Sequence, residues 1–494
     1  MSEVGIVIGE ARPERINFTS KNPVRVGDYV TVDTDDGQVL YMTEYFKNIS
    51  ELLYELNDYQ TADEARRASL KNPRDRVRIG VARALGLVDE LLKGRRIYPT
   101  LPPEPGASVK YADDDLLRKI YGGGGDSWVE IGRLLRRPSV TVAINLDAVA
   151  SRHLAILAAT GKGKSNLLAL LAKKISEKNG TMVIFDYHGE YQGLKIRGLK
   201  IASPKINPRH LDSEELADML GVRSVAERQR SMLGKVYTKD IINAADFWKA
   251  LEKKLKEIAE DEELGAQDRQ TAQRLLDIMK RALTVWGRAF DPKARSPLDA
   301  ITNNRVNVFD ISDLTEMQAQ IIVNTYLDNI LQDRKTAVRE GEGKFGSPVV
   351  VAIEEAHVFM PAGERTECSE TIARIAREGR KFGVSLIIVS QRPSRLNSDI
   401  TSQMGSFAIS GITHPSDQNF IREVTDEVSK ELGASLPSLN PGEMILAGHF
   451  IKVPVLIKTN LVEEKLVGRD LEAVRLWREE TSRTYVSTKE LMRP

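Results

Sequence analysis

The sequence predicts an α/β protein: a largely parallel sheet carrying a phosphate-binding loop, preceded by a small β-barrel and interrupted by a helical block. Three observations predict it. Residues 151–174 read "SRHLAILAATGKGKSNLLALLAKK", an apolar strand meeting a glycine-bearing loop that opens into an apolar helix. From about Val140 onward strands alternate with helices, and several are unbroken apolar runs, as strands buried on both faces require. Residues 1 to about 45 are instead dominated by short β-branched segments.

Taken in order, "VGIVIGE", "PVRVGDYVTVDT" and "GQVLYMTEYF" read as barrel strands, with Asp35-Asp36-Gly37 as a tight turn. "NISELLYELNDYQTADEARRASL" is polar and helix-compatible, and "RVRIGVARALGLV" is a strand returning to the barrel. The proline-rich "YPTLPPEPGAS" reads as an extended linker or edge, which closes an N-terminal part at 1–138. The strands "VTVAINL", "LAILAA" and "TMVIFDY" fall in a first core part, 139–211; "VNVFDI", "PVVVAIEEAH", "VSLIIVSQ" and "SFAISGI" fall in a second, 299–460. Residues 212–298, charged and without strand signals, form a helical insertion between them. After Pro454 the chain is expected to end in a polar helix and tail, 461–494.

Composition bounds the function. The chain of 494 residues is 41% hydrophobic and 29% charged, with no apolar run long enough to cross a membrane and no secretory signal at its start. Its single cysteine, Cys368, excludes an internal disulfide and a cysteine metal cluster, and the expected location is the cytoplasm. The formal net charge of +1 excludes a generally basic, nucleic-acid-coating surface. Any nucleic acid must meet positive charge concentrated in a groove or channel.

The loop Thr160-Gly161-Lys162-Gly163-Lys164-Ser165, with Asn166 behind it, has the composition of a nucleotide cradle. Glycines let backbone N–H groups turn toward an anion, and the helix that follows aims its N-terminal dipole at the same point. Lys164 can reach the β- and γ-phosphates of ATP, and the Ser165 hydroxyl can ligate Mg²⁺. The pattern's first glycine is Ala158 here. Hydrolysis needs more. "PVVVAIEEAH" places Glu354 and Glu355 at the mouth of a buried strand, where carboxylates are costly unless they serve a cation or catalysis. Glu354 is assigned to the Mg²⁺ water shell and Glu355 to the attacking water. Gln391, ending the next apolar strand, lies where α/β ligands sit. Arg374, Arg377 and Arg380 recur along one helix, and Arg380 at its end can project across an interface. In "FDYHGEY", Asp186 and Glu190 either line the site or His188 simply caps a strand end. Lys205, Arg209 and Arg365 are loop cations that either line a pore or are solvated.

Together "AATGKGKS", "FDYHGEY", "AIEEAH", "GRKFGVSLIIVSQRPS" and "GITHPSD" resemble the HerA family of archaeal DNA translocases, within the wider FtsK/HerA class. The resemblance covers essentially the whole chain. It implies a RecA-like P-loop ATPase core, a ring homo-hexamer around double-stranded DNA, and ATP sites at subunit interfaces. Arg380 then matches the family's arginine finger and Arg152 a second arginine near the nucleotide. It also implies a NurA-type nuclease as partner, end resection for recombinational repair, and the double-strand-break resection nuclease complex as a further partner. Two other functions compete: a conjugation- or secretion-type ring ATPase, and a nucleotide-gated DNA clamp or scaffold with little motor activity.

Overall fold

The computed structural model describes residues 3–20, 24–72, 75–286, 289–463 and 477–478. Six strands close a barrel: β1 (Glu3–Val7), β2 (Arg15–Ser20), β3 (Tyr29–Thr34), β4 (Gly37–Ser50), β5 (Arg76–Leu87) and β6 (Ser108–Tyr111), in the order β1-β2-β5-β4-β3-β6. Asp35-Asp36 is the two-residue turn of the β3–β4 hairpin, which starts at the pair Thr34↔Gly37. β4 runs on through Ser50, so the helix expected there is confined to Tyr59–Lys71. β6 pairs with both β1 and β3, so the proline-rich stretch leads into the last barrel strand rather than out of the domain.

The barrel has its own interior, built on Ile16, Phe18, Val30, Val39 and Tyr41. Tyr29, Leu40, Met42 and Leu85 belong instead to the large core of the rest of the chain. Tyr29 packs against Tyr121 with ring centroids 5.4 Å apart. Arg15 meets Glu431, and Arg96 meets Glu427, each at 2.6 Å.

The second sheet has 11 strands. They are β7 (Trp128–Leu134), β8 (Thr141–Asn145), β9 (Leu154–Ala158), β10 (Thr181–Asp186), β11 (Leu199–Ala202), β12 (Val306–Asp310), β13 (Val349–Ile353), β14 (Val384–Ser390), β15 (Ser406–Ser410), β16 (Glu443–Gly448) and β17 (Val455–Thr459). Their order is β11-β12-β10-β13-β14-β9-β15-β16-β17-β7-β8. The run from β11 to β15 is parallel; from β15 to β8 every pairing is antiparallel.

Two expectations are corrected here. Residues 128–134, assigned to the N-terminal part by a boundary at 138, are β7 and pair with β17 and β8. The chain after Pro454 first forms β17; of the helix and tail expected over 461–494, residues 464–476 and 479–494 lie outside the described residues. Both strands belong to the antiparallel part, where solvated residues interrupt the apolar run.

Residues 213–286 are helical, from Ser213–Leu220, opened by an Asp212–Glu215 capping box, to Ala266–Trp286. Ile206 bridges to Phe290 where the chain enters and leaves this block. All seven parallel strands end at one edge of the sheet, and that edge carries the phosphate loop.

Candidate active site

Ala158, where the loop pattern has its first glycine, is the last residue of β9 and pairs with Ser410. An ordinary strand conformation there needs no glycine. Gly163 does: its φ is 104°, and a Cβ would lie 3.2 Å from the Gly442 nitrogen. It precedes the helix Lys164–Glu177 and provides no side-chain cap, so the N–H groups of the first turn are left for an anion.

Lys164 faces carboxylates. Burial lowers its pKa, while Glu355, Glu354 and Glu190 act in the opposite direction. The sheet order explains the gathering. β14 lies between β9 and β13, so Gln391 emerges between the phosphate loop and the glutamate pair, and its Oε1 accepts from the Thr160 hydroxyl at 2.5 Å. β10 flanks β13 on the other side and delivers Asp186.

Asp186 is fully buried and accepts the N–H groups of Glu190 and Tyr191 at 3.0 and 2.9 Å. It thereby shapes the turn that presents His188 and Glu190. The Tyr191 hydroxyl donates to Glu354 Oε1 at 2.8 Å. Burial first, then the charge of Asp186, pushes the Glu354 carboxyl up to about 8. Glu355 has a left-handed backbone (φ 45°, ψ 46°), costly for a non-glycine residue. Its Oε1 lies 3.1 Å from His188 Nε2 and its Oε2 3.3 Å from His357 Nδ1.

Two members of the expected nucleotide set are used otherwise. The Lys162 ammonium donates to the Leu439 carbonyl at 2.6 Å, and its own carbonyl accepts from Gly442 N–H at 3.0 Å. The Asn166 side chain donates to the Asn460 carbonyl and accepts from Val462 N–H, each at 2.9 Å. Both side chains tie the loop and its helix to segments that return from the far end of the sequence. Arg209, one of the loop cations, is spent on the carbonyls of Ile242, Ala244 and Pro292 at the base of the insertion. Lys205 pairs with Asp291 at 3.5 Å. Arg365 lines a cleft of about 1250 Å³ between the insertion and the helix Glu367–Phe382, with Arg374, Arg377, Glu215 and Asp328. Its lining is of mixed charge and includes no residue of the phosphate loop.

Arg152 and Arg380 lie at the opposite edge. Arg152 immediately precedes His153 and β9; Arg380 closes the helix before β14. Arg152 NH1 contacts His449 Nε2 at 3.1 Å, and burial and then the nearby Arg152 and Arg380 charges lower the His449 pKa. Gly405 joins the group through its N–H to the Arg152 carbonyl (2.8 Å) and its carbonyl from His449 N–H (2.9 Å). β9 has five residues, so this edge is about 17 Å from the phosphate loop of the same chain. Local sequence pattern carried no sign of His449, because its partner is 297 positions away.

Comparison with known proteins identifies the family. Residues 129–330 match the family model of the helicase HerA central domain, and residues 4–95 that of the HAS barrel domain. The chain is 32% identical over 487 residues to the DNA double-strand break repair helicase HerA of Saccharolobus solfataricus, covering 96% of this chain and 95% of that one. To the HerA of Sulfurisphaera tokodaii it is 34% identical over 491 residues, covering 96% of each. Among solved structures, VirB4 of Thermoanaerobacter pseudethanolicus superposes with a TM-score of 0.48 at 16% identity, over 69% of this chain and 99% of that one. The phosphate loop, the buried glutamate pair and the barrel before them thus sit in a chain that belongs to the HerA family of helicases.

Proposed function

We propose that this ATP-hydrolysing helicase works as a hexameric ring on double-stranded DNA, with each ATP held between two subunits. The observation that carries the reading is the separation of the two edges. A chain whose arginines lie about 17 Å from its own phosphate loop can bring Arg380 and Arg152 only to a neighbour's nucleotide. Within one site, Lys164 and the N–H groups of Thr160, Gly161 and Gly163 to Ser165 hold the phosphates, the Lys162 N–H being used by the Ala159 carbonyl. Glu355 takes the proton of the attacking water, and Gln391 orients against the γ-phosphate. Arg380 of the adjoining copy meets charge as it develops there.

The residues present also suit Mg²⁺. Glu354, Glu355 and Glu190 lie within electrostatic reach of Lys164, and burial beside Asp186 raises the Glu354 carboxyl, a crowding of acids whose charged forms a cation would favour. Among the described residues no three His, Cys, Asp or Glu side chains form a metal cage. A cation held by the Ser165 hydroxyl and through water by Glu354 therefore needs nucleotide oxygens to complete its shell. Bound there, it would neutralise phosphate charge.

By its family this ring would act with a NurA-type nuclease and the double-strand-break resection nuclease complex, in the cytoplasm, to resect DNA ends for recombinational repair. Among the described residues no helix is long and apolar enough to cross a membrane. The test is ATP turnover with and without linear duplex DNA. Stimulation by DNA is expected of a motor; turnover that is low and indifferent to DNA would favour a clamp or scaffold.

A further inference from the structure

His188 belongs to a motif in which Asp186 shapes the turn and Tyr191 holds Glu354. His188 itself is half exposed at the tip of that turn, yet its Nε2 lies 3.1 Å from Oε1 of Glu355, a residue only 6% exposed. The other oxygen differs. Glu355 Oε2 is buried, lies 3.3 Å from His357 Nδ1, and has no aligned hydrogen bond among the described residues. A buried carboxylate oxygen without a donor costs about 1–3 kcal/mol, so such atoms are rare away from functional sites. The backbone adds to this. Glu355 sits in the left-handed region with φ 45°, and strain of that kind persists where the surroundings fix one conformation.

We propose that His188 is a positioning residue for ATP hydrolysis. Its Nε2–H donates to Oε1 and thereby fixes the rotation of the carboxylate, so that Glu355 meets the attacking water in one orientation. Water then gives a proton to the Glu355 carboxylate as its oxygen bonds to the γ-phosphorus, and the β–γ bridging oxygen leaves with the electron pair. His188 takes no part in these transfers. Its hydrogen bond goes to Glu355 and not to a residue of the phosphate loop. The inference rests on Glu355 acting on water, as proposed above.

The experiment is a double-mutant cycle on the full chain, with kcat and KM for ATP measured in the presence of linear duplex DNA and fluorescent-ADP affinity measured separately. His188→Phe keeps a ring beside Tyr187 but has no donor; His188→Gln restores an N–H at nearly the same reach. His188→Phe is expected to lower kcat about 10- to 100-fold, as small misplacements of a reacting group do, with KM and ADP affinity unchanged. His188→Gln should recover most of that loss. In a Glu355→Gln background, His188→Phe should change the residual rate no more than about twofold, because the group it positions is gone. Equal losses in both backgrounds, equal rates for Phe and Gln, or a loss confined to KM would each overturn the proposal. Near-normal turnover by Glu355→Gln alone would instead remove the reading on which it stands.

Discussion

Acid should loosen this protein first at His153. The residue enters β9 with φ 61° and is 2% exposed, and its Nδ1 accepts from Leu386 N–H at 2.9 Å. The ring thereby joins the head of β9 to β14, next to the helix Glu367–Phe382 that carries Arg380. Burial pushes its pKa down to about 4 from an ordinary 6.5. The folded chain keeps this imidazole neutral while the unfolded chain protonates it. Its stabilising contribution is therefore complete above pH 6.5 and is lost as pH falls through 4. At 1.36 kcal/mol per unit, the loss reaches about 2 kcal/mol at pH 5 and about 3 kcal/mol at pH 4. His153→Asn removes the titrating group, and asparagine tolerates a positive φ better than most residues. Denaturant unfolding of both proteins at pH 7.5 and pH 5 is the assay. The variant should be the less stable at pH 7.5, and the gap should narrow by about 2 kcal/mol at pH 5. If both lose stability in parallel, His153 is not the linked group.

Binding and hydrolysis should separate at the phosphate loop. Lys164→Ala should weaken ATP binding and abolish turnover, whereas Glu355→Gln should bind ATP and turn it over at least ~10²-fold more slowly. Truncation tests the revised boundary: a chain starting near Asp113 should bind nucleotide. One starting at Pro138, which strips β7 from β17 and exposes a sheet edge, should aggregate. Equal soluble yields and nucleotide affinities from the two would contradict the strand pairing as the cause. DNA binding should be sequence-independent and fall steeply between about 50 and 200 mM salt, as phosphate contacts do. A flat response in a filter-binding titration would exclude them.

Much of this was legible in the sequence where chemistry is local. The phosphate loop, the apolar runs around it and the carboxyl ends carrying Glu354, Glu355 and Gln391 all lie within continuous stretches, and parallel strands buried on both faces leave unmistakable apolar runs. What escaped depends on chain returning from elsewhere. β7, "WVEIGRL", and β17, "VLIKT", carry charged residues among apolar ones because their part of the sheet is antiparallel. Lys162 and Asn166 look like ligands in the local pattern, and only the return of residues 439–442 and 460–462 reveals their other partners. Arg152 was visible only through family resemblance, since nothing in "AVASRHL" marks it. His153 and His449 carried no signal at all: their roles are set by Leu386 and Arg152, far away in sequence.

The central claim is that an ATP site needs two subunits, and mixing tests it most directly. Lys164→Ala subunits have a dead loop and intact arginines; Arg380→Ala subunits have the reverse. Each alone should hydrolyse almost no ATP, since a guanidinium at the γ-phosphate contributes about 10³-fold or more. Mixed rings contain interfaces that pair a working loop with a working Arg380, and DNA-stimulated turnover should reappear there. Wild-type rings doped with each mutant calibrate how far neighbouring sites depend on one another. Recovery above the sum of the two mutants is the predicted result. Wild-type turnover by Arg380→Ala alone, or no recovery in mixed rings under doping that shows independent sites, would contradict it.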